Sequence, residues 1–122
     1  MSDFTIEKGR HTPSVRYTAN DSTLLISGKS YLENSREFYD KVIAKIKPFV
    51  NSKSFTFEFD FEYVNSSSVV SILEMLKIMK KESPSTQFKI KFHYESGDDD
   101  MMSLGESYGR ISDMPVEYFE KK

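Results

Sequence analysis

A two-layer α/β domain, with a mixed, mostly parallel sheet and helices mainly on one face, follows from three features of the chain. Strands of alternating polarity take turns with helices whose apolar residues recur at three and four, an order that joins parallel strands through crossover helices, expected to be right-handed. The strands are two-faced: in FTFEFDFEYV, Phe55, Phe57, Phe59, Phe61 and Tyr63 point one way and Thr56, Glu58, Asp60 and Glu62 the other. A sheet covered on both sides would carry near-continuous apolar strands, so one face is expected to meet water. Finally, 122 residues at 38% hydrophobic and 30% charged suit one soluble core, read as a single domain over residues 1–122.

Residues 1–12 have no period and read as a loose arm, with Thr12-Pro13 setting an extended entry. Val15 and Tyr17 alternate with Ser14, Arg16 and Thr18. Asn20-Asp21 supplies turn chemistry before Thr23 to Ser27, which predicts a hairpin ending at Gly28 and forming an antiparallel edge. A helix over 35–50, capped by Asn34 or Ser35, carries Phe38, Val42, Ile43, Ile46, Phe49 and Val50 on one stripe. Pro48 should kink or fray its last turn. After the long strand and Asn65-Ser66-Ser67-Ser68, a second helix has the stripe Val69, Ile72, Leu73, Leu76 and Met79 and fades at Glu82-Ser83-Pro84. Gln87 to Tyr94 repeats the alternation, with Phe88, Ile90, Phe92 and Tyr94 inward and Lys89, Lys91 and His93 outward. If the two long strands are neighbours, these lysines meet Glu58 and Asp60 in pairs worth ~0.2–1 kcal/mol each. An acidic turn, Ser96 to Asp100, leads to a short helical segment from Met101 to Tyr108, and Met114 to Phe119 forms a last strand or an extended tail.

Composition excludes several function classes. Without cysteine there are no disulfides, thiolate metal sites or cysteine nucleophiles, and a reducing cytoplasm is the expected location. No apolar run approaches the ~20 residues of a membrane span, and MSDFTIEKGR lacks the apolar core of a signal peptide. A formal charge of −2 and the lack of a basic patch argue against a nucleic-acid partner.

The joint Asn65-Ser66-Ser67-Ser68 lies where a strand hands over to a helix, on the edge where open α/β sheets place their sites. In the plain reading it caps the helix, a service worth ~1 kcal/mol that Ser67 or Ser68 can also perform. In the functional reading a serine here takes a phosphate: the helix dipole and free N–H groups hold it, and the surface gains about −1.5 to −2 charge. Tyr31, Glu33 and Asn34 belong to the same edge, either as helix-capping and staple residues or as part of a partner surface. Asp98-Asp99-Asp100 are consecutive and cannot all face one cation, so they read as a solvated turn capping the next helix. Glu58, Asp60 and His93 share a strand face and define an alternative, a small acid/base enzyme, which requires a cavity with converging groups. His11 and His93 have no spaced co-ligands, and phosphate-binding glycine loops are absent.

Four segments resemble the SiaC family of bacterial regulatory phosphoproteins, whose fold is similar to the STAS domains of anti-sigma factor antagonists. Thr12-Pro13-Ser14-Val15 resembles the family's opening. Ile26 to Asn34, ISGKSYLEN, is similar to its Gly-x-Ser-Tyr-Pro-Glu-Asn signature, and Tyr63 to Ser68, YVNSSS, to its Tyr-Phe/Leu-Asn-Thr-Ser-Ser signature. Phe92 to Tyr108 resembles its tail of aromatic strand end, acidic turn and Gly-Glu-Asp-Tyr-like segment. Leu32 stands for the usual Pro, Ser66 for Thr and Ser107 for Asp. The resemblance implies a non-enzymatic partner-switching protein, phosphorylated by a serine/threonine kinase on the hydroxyl after the asparagine and dephosphorylated by a SpoIIE-type phosphatase. Its unphosphorylated form would engage an output protein, a diguanylate cyclase that it activates, with no cofactor of its own. The acceptor is then Ser66, with Ser67 as rival, in an interface of Tyr31, Glu33, Asn34, Asn65, Ser66, Ser67 and Ser68. An anti-sigma kinase as the target, with the chain acting as anti-sigma factor antagonist, is the alternative output.

Overall fold

The row Phe55, Phe57, Phe59 and Phe61 lies in the middle of the protein, each ring at most 3% exposed. It belongs to β4 (Ser54–Val64). The computed structural model describes residues 3–121, and around β4 it places a six-stranded sheet in the order β1-β2-β3-β4-β5-β6. β1 (Phe4–Ile6), β2 (Ser14–Thr18) and β3 (Thr23–Ser30) form an antiparallel meander. β3, β4, β5 (Gln87–Glu95) and β6 (Val116–Lys121) are parallel neighbours. Each parallel step is bridged by a helix: α1 (Ser35–Val50), α2 (Ser66–Glu82) and α3 (Asp99–Ser112). α1 packs on α2 and α2 on α3, and the buried strand residues all face this helical layer. The mixed two-layer architecture therefore agrees with the alternation in the sequence.

Three local expectations need correction. The arm holds a strand, since Phe4 to Ile6 pair with Val15 to Tyr17 and the Phe4 ring stacks on Tyr17 at 5.7 Å. Residues 1 and 2 of that arm lie outside the described residues. β3 does not stop at Gly28 but runs to Ser30, with Gly28 at φ +96°. There the register jumps, Gly28 facing Phe61 and Lys29 facing Tyr63, so Glu62 is the extra residue of a bulge. A bulge reverses the alternation beyond it: Tyr63 leaves the Phe row and is 47% exposed, while Val64 packs against the core. The third helix extends from Asp99 to Ser112, capped by Asp98, whose carboxylate accepts from the Met101 N–H at 3.0 Å. Of the two readings of Met114 to Phe119, the strand holds: β6 pairs with β5 from Val116 to Lys121.

The uncovered face is laced with charge, though not by the expected partners. Glu58 meets His93 at 2.6 Å, Asp60 meets Lys121 of β6 at 2.6 Å, and Lys89 reaches Glu117 at 3.4 Å. His93 also stacks on Phe119. Such partly solvated pairs contribute at most ~1 kcal/mol each and chiefly keep the face wet and in register.

α3 sits close to the sheet because Gly105 and Gly109 present no side chain there. A Cβ on Gly109 would fall inside van der Waals contact of Val116 and 3.1 Å from the Met114 carbonyl oxygen. Gly109→Ala is expected to cost ~1–3 kcal/mol by overpacking. A thermal melt checks it; an unchanged midpoint would show that α3 can shift freely.

Candidate functional site

β3 and β4 end side by side, and α1 and α2 begin there, so one edge collects both signatures. Asn65 joins them. Its backbone N–H donates to the Ser30 carbonyl at 3.0 Å, its side-chain amide donates to the Leu32 carbonyl at 3.0 Å, and its Oδ1 accepts from the Ser68 N–H at 3.0 Å. It is the N-cap of α2, so neither Ser67 nor Ser68 caps, and the three serines form the helix's first turn. Asn34 caps α1 more loosely, accepting from the Glu37 N–H at 3.4 Å. Glu33 is exposed on the loop before it.

The three serines differ in surroundings. Ser68 is 0% exposed, and its hydroxyl accepts from Ser30 at 2.8 Å; Ser30 in turn lies 2.8 Å from the Tyr39 hydroxyl. Burial raises the Tyr39 pKa above its ordinary value, the bond to Ser30 offsetting part of the rise, so Tyr39 stays a protonated donor. The Ser67 hydroxyl lies 2.6 Å from that of Ser35. Ser66 is exposed, and its hydroxyl makes no hydrogen bond among the described residues. Below it, Tyr108 of α3 donates to the Val69 carbonyl at 3.0 Å and ties α3 to the start of α2.

The strand ends and helix start at this edge carry exposed aromatic and apolar side chains among polar ones such as Glu33, Asn34 and Ser67. Tyr31 is 54%, Tyr63 47% and Val70 58% exposed, and these are among the largest exposed apolar side chains. The Tyr31 and Tyr63 rings lie 5.6 Å apart, and His11 sits 5.8 Å from Tyr31, whose N–H donates to the His11 carbonyl at 2.9 Å. Alongside, a groove of about 420 Å³ is lined by Tyr63, Val64, Val69, Met101 and Leu104 with the carboxylates of Glu62, Asp98 and Asp100. The structure thus brings together Tyr31, Asn65, Ser66 and Ser67. It adds His11, Tyr63 and Val70, which sequence reasoning did not place here. Gly28 inside a strand pattern was the available signal, because an isolated glycine there suggests a bulge.

Glu58, Asp60 and His93 do not converge on a cavity. They lie on the uncovered sheet face, with Asp60 occupied by Lys121 and Glu58 by His93. No cluster of three or more potential metal ligands occurs among the described residues, and no helix among them is long and apolar enough to cross a membrane.

Asn65→Ala removes the α2 cap and leaves the Leu32 carbonyl without its donor, a loss expected to total ~2 kcal/mol. Asn34→Ala, with its longer cap bond, should lose less than about half of that. Urea unfolding of both variants checks the order, and equal losses would deny Asn65 its joining role.

Comparison with known proteins agrees with this geometry. A curated relative, an uncharacterised protein of Pseudomonas aeruginosa (strain UCBPP-PA14), is 25% identical over 118 residues, covering 94% of each chain. The fold is similar to SiaC of Pseudomonas aeruginosa, with a TM-score of 0.83 at 22% identity over 99% of this chain and 100% of that one. It is equally similar, at TM-score 0.83 and 20% identity over 97% of this chain and 99% of the other, to a chain in the crystal structure of the diguanylate cyclase SiaD in complex with its activator SiaC. The apo-SiaC crystal structure from the same organism gives 0.74 at 24% identity, covering 97% and 98%. The family description SiaC family regulatory phosphoprotein matches residues 6–121, and with nearly the whole chain so matched the protein belongs to the SiaC family.

Proposed function

We propose that the protein is a non-enzymatic partner switch in which reversible phosphorylation of Ser66 controls docking of an output protein on the edge formed by Tyr31, Glu33, Asn34, Asn65, Ser66, Ser67 and Ser68, widened by Tyr63 and Val70. One observation supports this most: of three consecutive serines, Ser66 alone combines exposure with a hydroxyl bonded to nothing among the described residues. A serine/threonine kinase working with ATP adds the phosphate, and a SpoIIE-type phosphatase removes it. The output protein is a diguanylate cyclase, engaged and activated by the unphosphorylated form. This choice is favoured by likeness to the SiaC found with SiaD. The protein acts in the cytoplasm, where its kinase finds ATP, and needs no metal or cofactor of its own.

Chemistry favours a switch of this kind. A phosphate at the first residue of α2 meets the positive end of the helix and N–H groups not used within it, so the fold keeps its shape while the surface gains charge and bulk. The paired, solvent-facing Glu58, Asp60 and His93 lend no support to the enzyme alternative.

Incubation with the kinase and magnesium-ATP, followed by site-resolving mass spectrometry, is expected to place phosphate on Ser66. Absence of phosphate from all three serines would overturn the reading. Affinity capture on the unphosphorylated chain should then retain a diguanylate cyclase; an anti-sigma kinase in its place would move the output to that alternative and keep the switch.

A further inference from the structure

We propose that Ser35 selects which hydroxyl of the serine run is phosphorylated, by holding the proton of Ser67; the inference rests on the reading of Ser66 as the acceptor. Ser35 is the first residue of α1 and is 2% exposed. Its Oγ lies 2.9 Å from the Ser67 carbonyl oxygen, 2.6 Å from Ser67 Oγ and 2.7 Å from Ser71 Oγ. A hydroxyl has one proton and two lone pairs. A carbonyl oxygen only accepts, so the Ser35 proton goes to the Ser67 carbonyl. The Ser67 and Ser71 hydroxyls must then donate into the two lone pairs of Ser35. Every bonding position of Ser35 is filled, and the Ser67 proton is committed to a buried acceptor.

Phosphoryl transfer requires that proton to be released. The acceptor oxygen bonds to the γ-phosphorus of ATP while the bond from that phosphorus to the bridging oxygen breaks; the hydroxyl proton passes to a base on the kinase and ADP leaves. At Ser66 the oxygen and its proton are both open to the kinase. At Ser67 the side chain must first break its bond to Ser35, leaving a buried lone pair unsatisfied. Ser68 is buried and receives the Ser30 proton, out of a kinase's reach. Three chemically identical side chains become unequal through Ser30 and Ser35, which come from the strand end and helix start on the neighbouring connection. Ser35 touches no substrate in this scheme and is a positioning residue.

The test uses the full chain with an affinity tag, expressed in the cells it comes from, purified with phosphatase inhibitors and mapped by site-resolving mass spectrometry. Ser35→Ala is expected to raise the ratio of Ser67 to Ser66 phosphate roughly fivefold. Combined with Ser66→Ala, it should raise phosphate on Ser67 roughly fivefold above the low level that Ser66→Ala alone shows there. Ser71→Ala removes another partner of the same Ser35 hydroxyl but keeps the Ser67 bond, so the ratio should stay within about twofold of wild type. An equal rise in Ser71→Ala would mean general loosening of the α1–α2 contact and would overturn the proposal. An unchanged ratio in Ser35→Ala, with phosphate still on Ser66, would overturn the role of Ser35 and leave Ser66 as acceptor. Wild-type phosphate on Ser67 in place of Ser66 would remove both. One measurement needs no substitution: in the wild-type chain the Ser67 hydroxyl proton should be visible by low-temperature NMR, protected by Ser35, whereas that of Ser66 is lost to exchange with water. Equal protection of the two would also overturn the proposal.

Discussion

Phe59→Ala is expected to lower the melting temperature by roughly 10–25 °C, the outcome of losing ~3–5 kcal/mol from a domain of this size. Phe59 is 0% exposed, and four aromatic rings surround it: Phe57 at 6.5 Å, Phe61 at 5.6 Å, Phe92 at 6.2 Å and Tyr108 at 5.7 Å between centroids. Truncation removes the transfer energy of a whole ring and leaves a void that stiff neighbours cannot fill, since Phe57 and Phe61 are fixed by the same strand and Tyr108 is held by its bond to Val69. Because domains are stable by only ~5–15 kcal/mol, this one change takes away a large share of the margin. The comparison is Phe119→Ala on the uncovered face, where the side chain is 40% exposed and the expected shift is a few degrees at most, about what a lost ring-on-ring contact is worth. A circular-dichroism melt that moved both variants equally would mean that the phenylalanine row is not the centre of the core.

Element types were legible wherever one local period ran long enough to count. α1 begins and ends where its cap and apolar stripe predict, and β4 and β5 announce themselves by alternation. What failed was local structure too short to have a period or contact too distant to leave one. Three residues, Phe4 to Ile6, carry no pattern, yet their edge pairing with β2 makes a strand. The bulge at Glu62 inverts Tyr63 and Val64 against an otherwise faultless alternation, and the turning out of Tyr63 builds the aromatic part of the candidate site. Glu58 chose His93 over a lysine because a side chain's reach across strands depends on register and twist, which charge counting ignores. The hydroxyl cluster was beyond local reading altogether: Ser35 and Ser67 are 32 residues apart in the chain, and only the packing of α1 against α2 makes them neighbours. The edge itself could be placed from the order of strands and helices, since parallel strands bring their ends together.

If the proposed switch holds, Ser66→Asp should weaken binding of the proposed cyclase partner roughly tenfold, and full phosphorylation of Ser66 roughly a hundredfold, without lowering the melting temperature. The combination is the diagnostic part. A negative charge in the first turn of α2 faces the positive end of the helix and is worth ~0.3–1 kcal/mol in favour of the fold. The same charge, pressed against a partner that covers Tyr31, Tyr63 and Val70, must give up water, at an effective cost of several kcal/mol for a fully desolvated ion and less at a wet rim. Fold and interface therefore respond with opposite signs. The phosphate does more than the carboxylate because it carries about twice the charge and greater bulk. Ser66→Ala adds no charge and breaks no hydrogen bond among the described residues, so its dissociation constant should stay within about twofold of wild type even though it can no longer be switched. Calorimetric titration of the three forms against the cyclase, beside their thermal melts, separates the possibilities. Unchanged affinity for Ser66→Asp would place the docking surface away from this edge. Weaker binding accompanied by a fall in melting temperature would mean that the charge acts by disturbing the Asn65 cap, with the partner sensing damage to the fold in place of a charge at its interface.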